Sequence, residues 1–193
     1  MNTPREYDMT LRAEQAAQTR VRILDALTAL VAEIPLAAVT LPRVADRAGV
    51  TVQTVLRNFG SRDGLFAAGL EFGRDAVVAE RTITPDDVDA SLAALVDHYE
   101  RTSTMTLLLL GQESWEPIAA EVTAGGKALH RDWVERVFAH ALDDAADRDE
   151  ATDLLVVATD LYCYKLLRLD RALSRDRTLQ RMRRLVQAVL DTL

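Results

Sequence analysis

Apolar residues recur every three or four positions through most of this 193-residue chain, and no useful stretch alternates at the two-residue period of a strand. The pattern predicts an all-α protein of about nine helices. The first long helix spans residues 11–33, where Ile23, Leu24, Leu27, Leu30 and Val31 make one broad stripe and Pro35 ends it. Residues 61–81 form the helix numbered fourth in this reading, with Leu65, Phe66, Leu70 and Val77 inward. Thr84-Pro85-Asp86-Asp87 opens another: a cap, a proline in the first turn, then acids that suit a positive helix start. Val88, Leu92, Leu95, Val96 and Tyr99 line that helix. A short apolar helix over 104–112 follows, then a helix or broken pair over 113–142 that Gly125-Gly126 should kink or interrupt. Residues 150–170 are apolar over most of their circumference, and residues 174–193 carry Leu179, Met182, Leu185, Val186, Val189 and Leu190 as one stripe. Residues 1–10 read as a flexible tail, from which Arg5 and the nearby Arg12 can reach a minor groove, although a solvated tail is the plainer reading.

Residues 40–63, TLPRVADRAGVTVQTVLRNFGSRD, are the most informative stretch. Thr40 can cap a helix and Pro42 falls in its first turn, where a missing N–H costs nothing. Val44, Ala45 and Ala48 lie along one side, and Gly49 fits a left-handed stop that side chains resist. Val50 anchors the turn and Thr51 caps the next helix. Two helices joined by a short glycine turn match the helix-turn-helix pattern. On a wheel of the second helix Val55 and Phe59 face the core, while Gln53 and Arg57 point outward together. Val52 sits in the first turn, where a recognition helix meets base edges. Gln suits adenine, Arg suits guanine or a phosphate, and Val suits a thymine methyl. Ser61 can cap the following helix, whose N-terminus with Arg62 suits a phosphate.

This segment resembles the TetR/AcrR family of one-component transcriptional regulators. The match runs through Thr40, Val44-Ala45, Ala48-Gly49-Val50-Thr51, Thr54-Val55, Phe59 and Ser61-Arg62-Asp63, and upstream through residues 20–33. The resemblance implies a three-helix DNA-binding domain over 1–60 and an effector-binding, dimerising helical domain over 61–193. It implies a homodimer on a palindromic operator in double-stranded DNA, most simply a repressor released by a small-molecule effector. Thr40, Thr51, Val52, Gln53, Thr54, Arg57, Asn58 and Arg62 become DNA-contact candidates; for Thr51 and Thr54 capping is the competing role. The sequence departs from the family pattern at Leu56, usually a phosphate-binding tyrosine, at Asn58, usually histidine, at Val52, often polar or basic, and at Pro35-Leu36, where a glycine is common. These changes keep a second reading open: a ligand- or protein-binding dimer whose DNA head has decayed.

The net charge of −7 runs against DNA binding until it is divided. Residues 1–64 hold eight Arg and seven acids, whereas residues 65–193 hold fifteen Lys or Arg and twenty-three acids. The asymmetry favours DNA docking through the front segment, with the acidic remainder held away from phosphates. A single cysteine, Cys163, rules out an internal disulfide; with no apparent signal peptide it points to a reducing, cytoplasmic setting, and no apolar run suggests a membrane span. His98, His130 and His140, separated by 32 and 10 residues, form no metal-ligand motif. No phosphate loop, nucleophile elbow or convergent acid–base set occurs, so neither a cofactor nor an enzyme is expected.

The family's effector site lies among the middle helices, which here offer Tyr99, Met105, Leu109, Gln112, Trp115, Trp133 and Phe138. Gln112 stands out as polar in an apolar run. The last two helices are too apolar for one partner and are expected to pair with their copies as a four-helix bundle. Leu155, Leu166, Leu179, Met182, Leu185, Val186 and Val189 are the seam candidates.

Overall fold

The computed structural model describes residues 4–80 and 87–193, with side chains from residue 13 onward. Every regular element among them is helical: α1 Pro4–Glu33, α2 Leu41–Ala48, α3 Val52–Phe59, α4 Arg62–Glu80, α5 Val88–Leu110, α6 Pro117–Val137, α7 Ala139–Asp144, α8 Arg148–Thr159, α9 Leu161–Tyr164 and α10 Arg175–Leu190. A 3-10 turn, Leu36–Ala38, joins α1 to α2, and a π-helical stretch, Lys165–Asp170, extends α9. No helix among the described residues is long and apolar enough to cross a membrane.

Two clusters of buried side chains organise the chain. The head cluster joins Ile23, Leu24, Leu27 and Leu30 of α1 to Leu36, Val39, Val44, Ala45, Val55, Leu65 and Phe66, and it is completed by Leu109 of α5 and Ala119 of α6. The body cluster collects Leu92, Leu95, Val96 and Tyr99 of α5, Trp133 and Val134 of α6, Phe138, Leu142, Leu155, Tyr164, Met182 and Val186. The head cluster draws on residues well beyond the expected division after residue 60.

Several element boundaries differ from expectation. α1 begins at Pro4, so most of the expected tail is helix; the side chains of Arg5 and Arg12, and Thr84 to Asp86, lie outside the described residues. The helix after that gap is capped by Asp87, whose carboxylate accepts from the Ala90 N–H at 2.8 Å. It runs unbroken to Leu110 and absorbs the short helix expected at 104–112. α6 passes straight through Gly125 and Gly126, because it is buried on both sides of them, Ala119 in the head cluster and Trp133 and Val134 in the body cluster, despite two poor helix formers. The break falls instead in residues 150–170, at Asp160. There the backbone turns extended (ψ 153°) and the carboxylate accepts from the Tyr162 N–H at 2.7 Å, a side-chain bond that competes with helix continuation.

The dimer-seam candidates also divide. Leu155, Leu179, Met182 and Val186 are buried in the protomer's own body cluster, and Val189 packs on its edge. Most of the α10 stripe packs into the core beside α5 and α8. Leu166 and Leu185 are exposed, as are Leu154, Val157, Tyr162 and Leu169 elsewhere on the last helices.

Candidate nucleic-acid interface

α2 and α3 are built as the sequence predicts, with one correction. Pro42 occupies the first turn of α2, but the Thr40 hydroxyl makes no capping bond; its carbonyl accepts from the Val44 N–H at 3.0 Å. Thr40 therefore enters the helix through its backbone alone. Gly49 takes φ 64° and ψ 40°, and the Val50 N–H reaches back to the Ala45 carbonyl at 2.9 Å, closing the helix end. Thr51 Oγ1 then accepts from the Thr54 N–H at 3.1 Å and lies 3.0 Å from Thr54 Oγ1. Val55 is fully buried, and the Arg20 guanidinium sits 4.4 Å over the Phe59 ring. Arg20 Nη1 also donates to the Asn58 carbonyl at 3.0 Å, so α1 steadies the end of α3. The position of Arg20, one turn before Ile23 and Leu24, was the available sequence signal for this role.

On this frame Gln53 and Arg57 stand exposed, and neither has a side-chain partner among the described residues. Arg43 is exposed on α2, donating to the Ala38 carbonyl at 3.2 Å. Arg47 is spent on Glu33, donating through Nη1 at 3.0 Å and holding that carboxyl below its usual range. Thr54 is half-buried, and Asn58, also half-buried, donates back to the Thr54 carbonyl at 2.8 Å. Val52 is half-buried and packs on the head cluster.

Arg62 is turned inward. Its Nη2 donates to the Leu36 carbonyl at 3.0 Å, its Nε to the Val39 carbonyl at 3.2 Å, and its guanidinium lies 4.5 Å over the Phe66 ring. In this geometry it staples the α1–α2 turn to α4, so the phosphate role expected of it competes with three internal contacts. Ser61 caps α4 as expected, accepting from the Gly64 N–H at 3.0 Å. A side chain at Gly64 would meet the Phe59 carbonyl oxygen at 2.2 Å, which shows how closely α4 starts against the end of α3.

The seven effector candidates are not brought together. Tyr99, Trp133 and Phe138 lie in the body cluster. Leu109 and Met105 belong to the head cluster, because long α5 reaches past the body. Trp115 is 70% exposed in the α5–α6 turn, and Gln112 is buried in the same turn, bonded to the head. The body centre is nevertheless polar in places. The Tyr99 hydroxyl donates to the Thr159 carbonyl at 3.1 Å, Thr159 Oγ1 lies 3.1 Å from His130 Nε2, and the imidazole stacks 5.8 Å from the Trp133 ring. The buried Trp133 indole N–H has no hydrogen-bond partner. No group of three or more His, Cys, Asp or Glu suited to a metal occurs among the described residues.

Residues 23–68 match the family model described as bacterial regulatory proteins, tetR family. The HTH-type transcriptional repressor KstR of Mycolicibacterium smegmatis is 29% identical over 161 residues, covering 81% of this chain and 79% of the relative. A transcriptional regulator from Rhodococcus sp. RHA1 superposes with a TM-score of 0.70 at 19% identity, over 90% of this chain and 96% of its own. A TetR transcription regulator from Haloarcula marismortui does so with a TM-score of 0.63 at 20% identity, over 92% and 98%. At such identities these two likenesses speak for the fold.

Proposed function

We propose that this chain, a transcriptional regulator of the TetR family, is a dimeric repressor that reads a palindromic operator through α3 and is released by a small-molecule effector. The observation that carries the DNA reading is the pair Gln53 and Arg57, exposed and unpartnered on a helix whose other face is locked into the head. A polar pair held rigid and left unbonded within the fold is suited to base edges and phosphates. The repressor reading follows the similarity to KstR.

Dimerisation is supported by the exposed apolar residues Leu154, Val157, Tyr162, Leu166, Leu169 and Leu185 on the last helices. A two-fold pairing there sets two α3 helices on half-sites about 34–36 Å apart, one turn of duplex. For the effector, the reading centres on Tyr99, His130, Trp133 and Thr159, where an unpartnered indole N–H favours an apolar molecule carrying a hydrogen-bond acceptor.

The test is enrichment of sites by the full-length chain from a pool of random duplexes, over several salt concentrations. The expected product is an inverted repeat bound by two copies. Gln53→Ala with Arg57→Ala should cost about 1–3 kcal/mol per lost base pairing and flatten the sequence preference. A pool that stays random at every salt concentration removes the DNA reading.

A further inference from the structure

Leu36 opens the 3-10 turn from which α2 and α3 hang, and both polar groups of its backbone are held by side chains far away in sequence. Its carbonyl accepts from Arg62. Its N–H donates to Gln112 Oε1 at 2.9 Å, across 76 residues. Leu36 is 1% exposed and Gln112 6%, so water does not stand in for either partner.

Gln112 is itself fixed. Its Nε2 donates to the Leu108 carbonyl at 2.7 Å, and its own carbonyl accepts from the N–H groups of Trp115 and Glu116, the residues that lead into α6. Its side chain thus ties the corner between α5 and α6 to the entrance of the DNA head. The same two helices carry Tyr99, Trp133 and Val134 in the body cluster, while Leu109 and Ala119, on either side of Gln112, belong to the head cluster. From Tyr99 to Leu109 is about 15 Å along one helix, at about 1.5 Å per residue. One helix thus runs from the body core to the turn whose Gln112 holds the Leu36 peptide.

We propose that Gln112 is the positioning residue through which packing changes in the body reach the DNA-reading head. It stands in place of the effector-binding role that its isolated polarity suggested. The inference rests on the reading of the chain as an effector-controlled DNA binder, and its test is arranged so that the two can fail separately.

The experiment is a hydrogen-exchange cycle on the full-length chain without DNA. Tyr99→Phe or Val134→Ala loosens the body, and exchange is read at the Leu36 amide and across residues 41–59. In the otherwise unaltered chain either body change should speed head exchange by about threefold or more, within the range of coupling along packed elements. With Gln112→Met in the background, Leu36 exchange rises by itself and the body changes no longer alter residues 41–59. If Gln112→Met does not fold, Gln112→Asn, too short to reach Leu36, takes its place. A body-to-head response that survives loss of Gln112 makes the residue a local staple and overturns the proposal, as does an unchanged Leu36 amide. Duplex enrichment is run in parallel. Absence of an enriched duplex with the coupling intact removes the regulatory reading alone.

Discussion

Two arginines expected at DNA have different surroundings, and replacing each separates fold from function. Arg57 is exposed and its side chain has no hydrogen-bond or ion-pair partner among the described residues, so Arg57→Ala should change stability by less than about 0.5 kcal/mol, the usual range for such surface positions. Arg62→Ala removes two donors from the Leu36 and Val39 carbonyls and a guanidinium from the face of Phe66. The site is half-buried, so each bond is worth about 1 kcal/mol and the ring contact about 0.5–1 kcal/mol, for a loss of about 2–3 kcal/mol. In a chain of this size that lowers the melting temperature by about 4–12 °C. Circular dichroism melts at one protein concentration, because the melting point of any oligomer depends on it, give the first number; fluorescence anisotropy on an enriched duplex gives the second. Arg57→Ala should melt with the unaltered chain and bind DNA poorly. Arg62→Lys should recover part of the stability at most, since one ammonium cannot match the planar fork. The reasoning is refuted if Arg62→Ala melts unchanged yet weakens DNA as much as Arg57→Ala does, because the guanidinium then works on phosphate and not on the turn.

Other outcomes follow from single contacts. Gly64→Ala drives a methyl into the Phe59 carbonyl and should destabilise by about 1–3 kcal/mol in a chemical-denaturation midpoint, whereas Gly125→Ala and Gly126→Ala, helical with open space around both, should each stabilise by about 0.4–1 kcal/mol. Val157→Glu with Leu166→Glu, at 63% and 58% exposed positions, should yield a folded monomer by light scattering; an unchanged dimer would place the seam elsewhere. Glu100 is held below the usual carboxylate range by the hydrogen bond from Arg168 and, more weakly, that from Tyr164. Its stabilisation is complete above the ordinary carboxylate pKa and lost as pH falls through the depressed folded value, so Glu100→Gln should flatten the acid limb of stability below the ordinary carboxylate range.

The elements of the head were readable because local chemistry and long-range packing agree there. Gly49 needs its left-handed turn, Thr51 needs the Thr54 N–H, and Val55 needs a core, each within a few residues of the others. The body was read less well. Periodicity marks a face as apolar without saying what covers it, so Leu155, Leu179, Met182 and Val186 passed for a subunit seam while serving the protomer's own core. Gly125-Gly126 suggested a break that packing overrides, and Asp160 made one that periodicity hides. Arg62 and Gln112 were singled out by position and polarity, yet their partners lie 26 and 76 residues away at Leu36, which no local pattern encodes.

Leu109 and Ala119 complete the head cluster from the far side of the chain. A fragment ending with α4 would leave the head cluster without part of its apolar cover and should expand or aggregate when made alone. The same fact governs exchange of parts between relatives. A chimaera that transplants the helix-turn-helix with α1 and α4 but keeps a foreign α5–α6 corner inherits a mismatched core, so the transferable unit of DNA recognition here is discontinuous: two separated stretches of sequence, joined only in the folded protein.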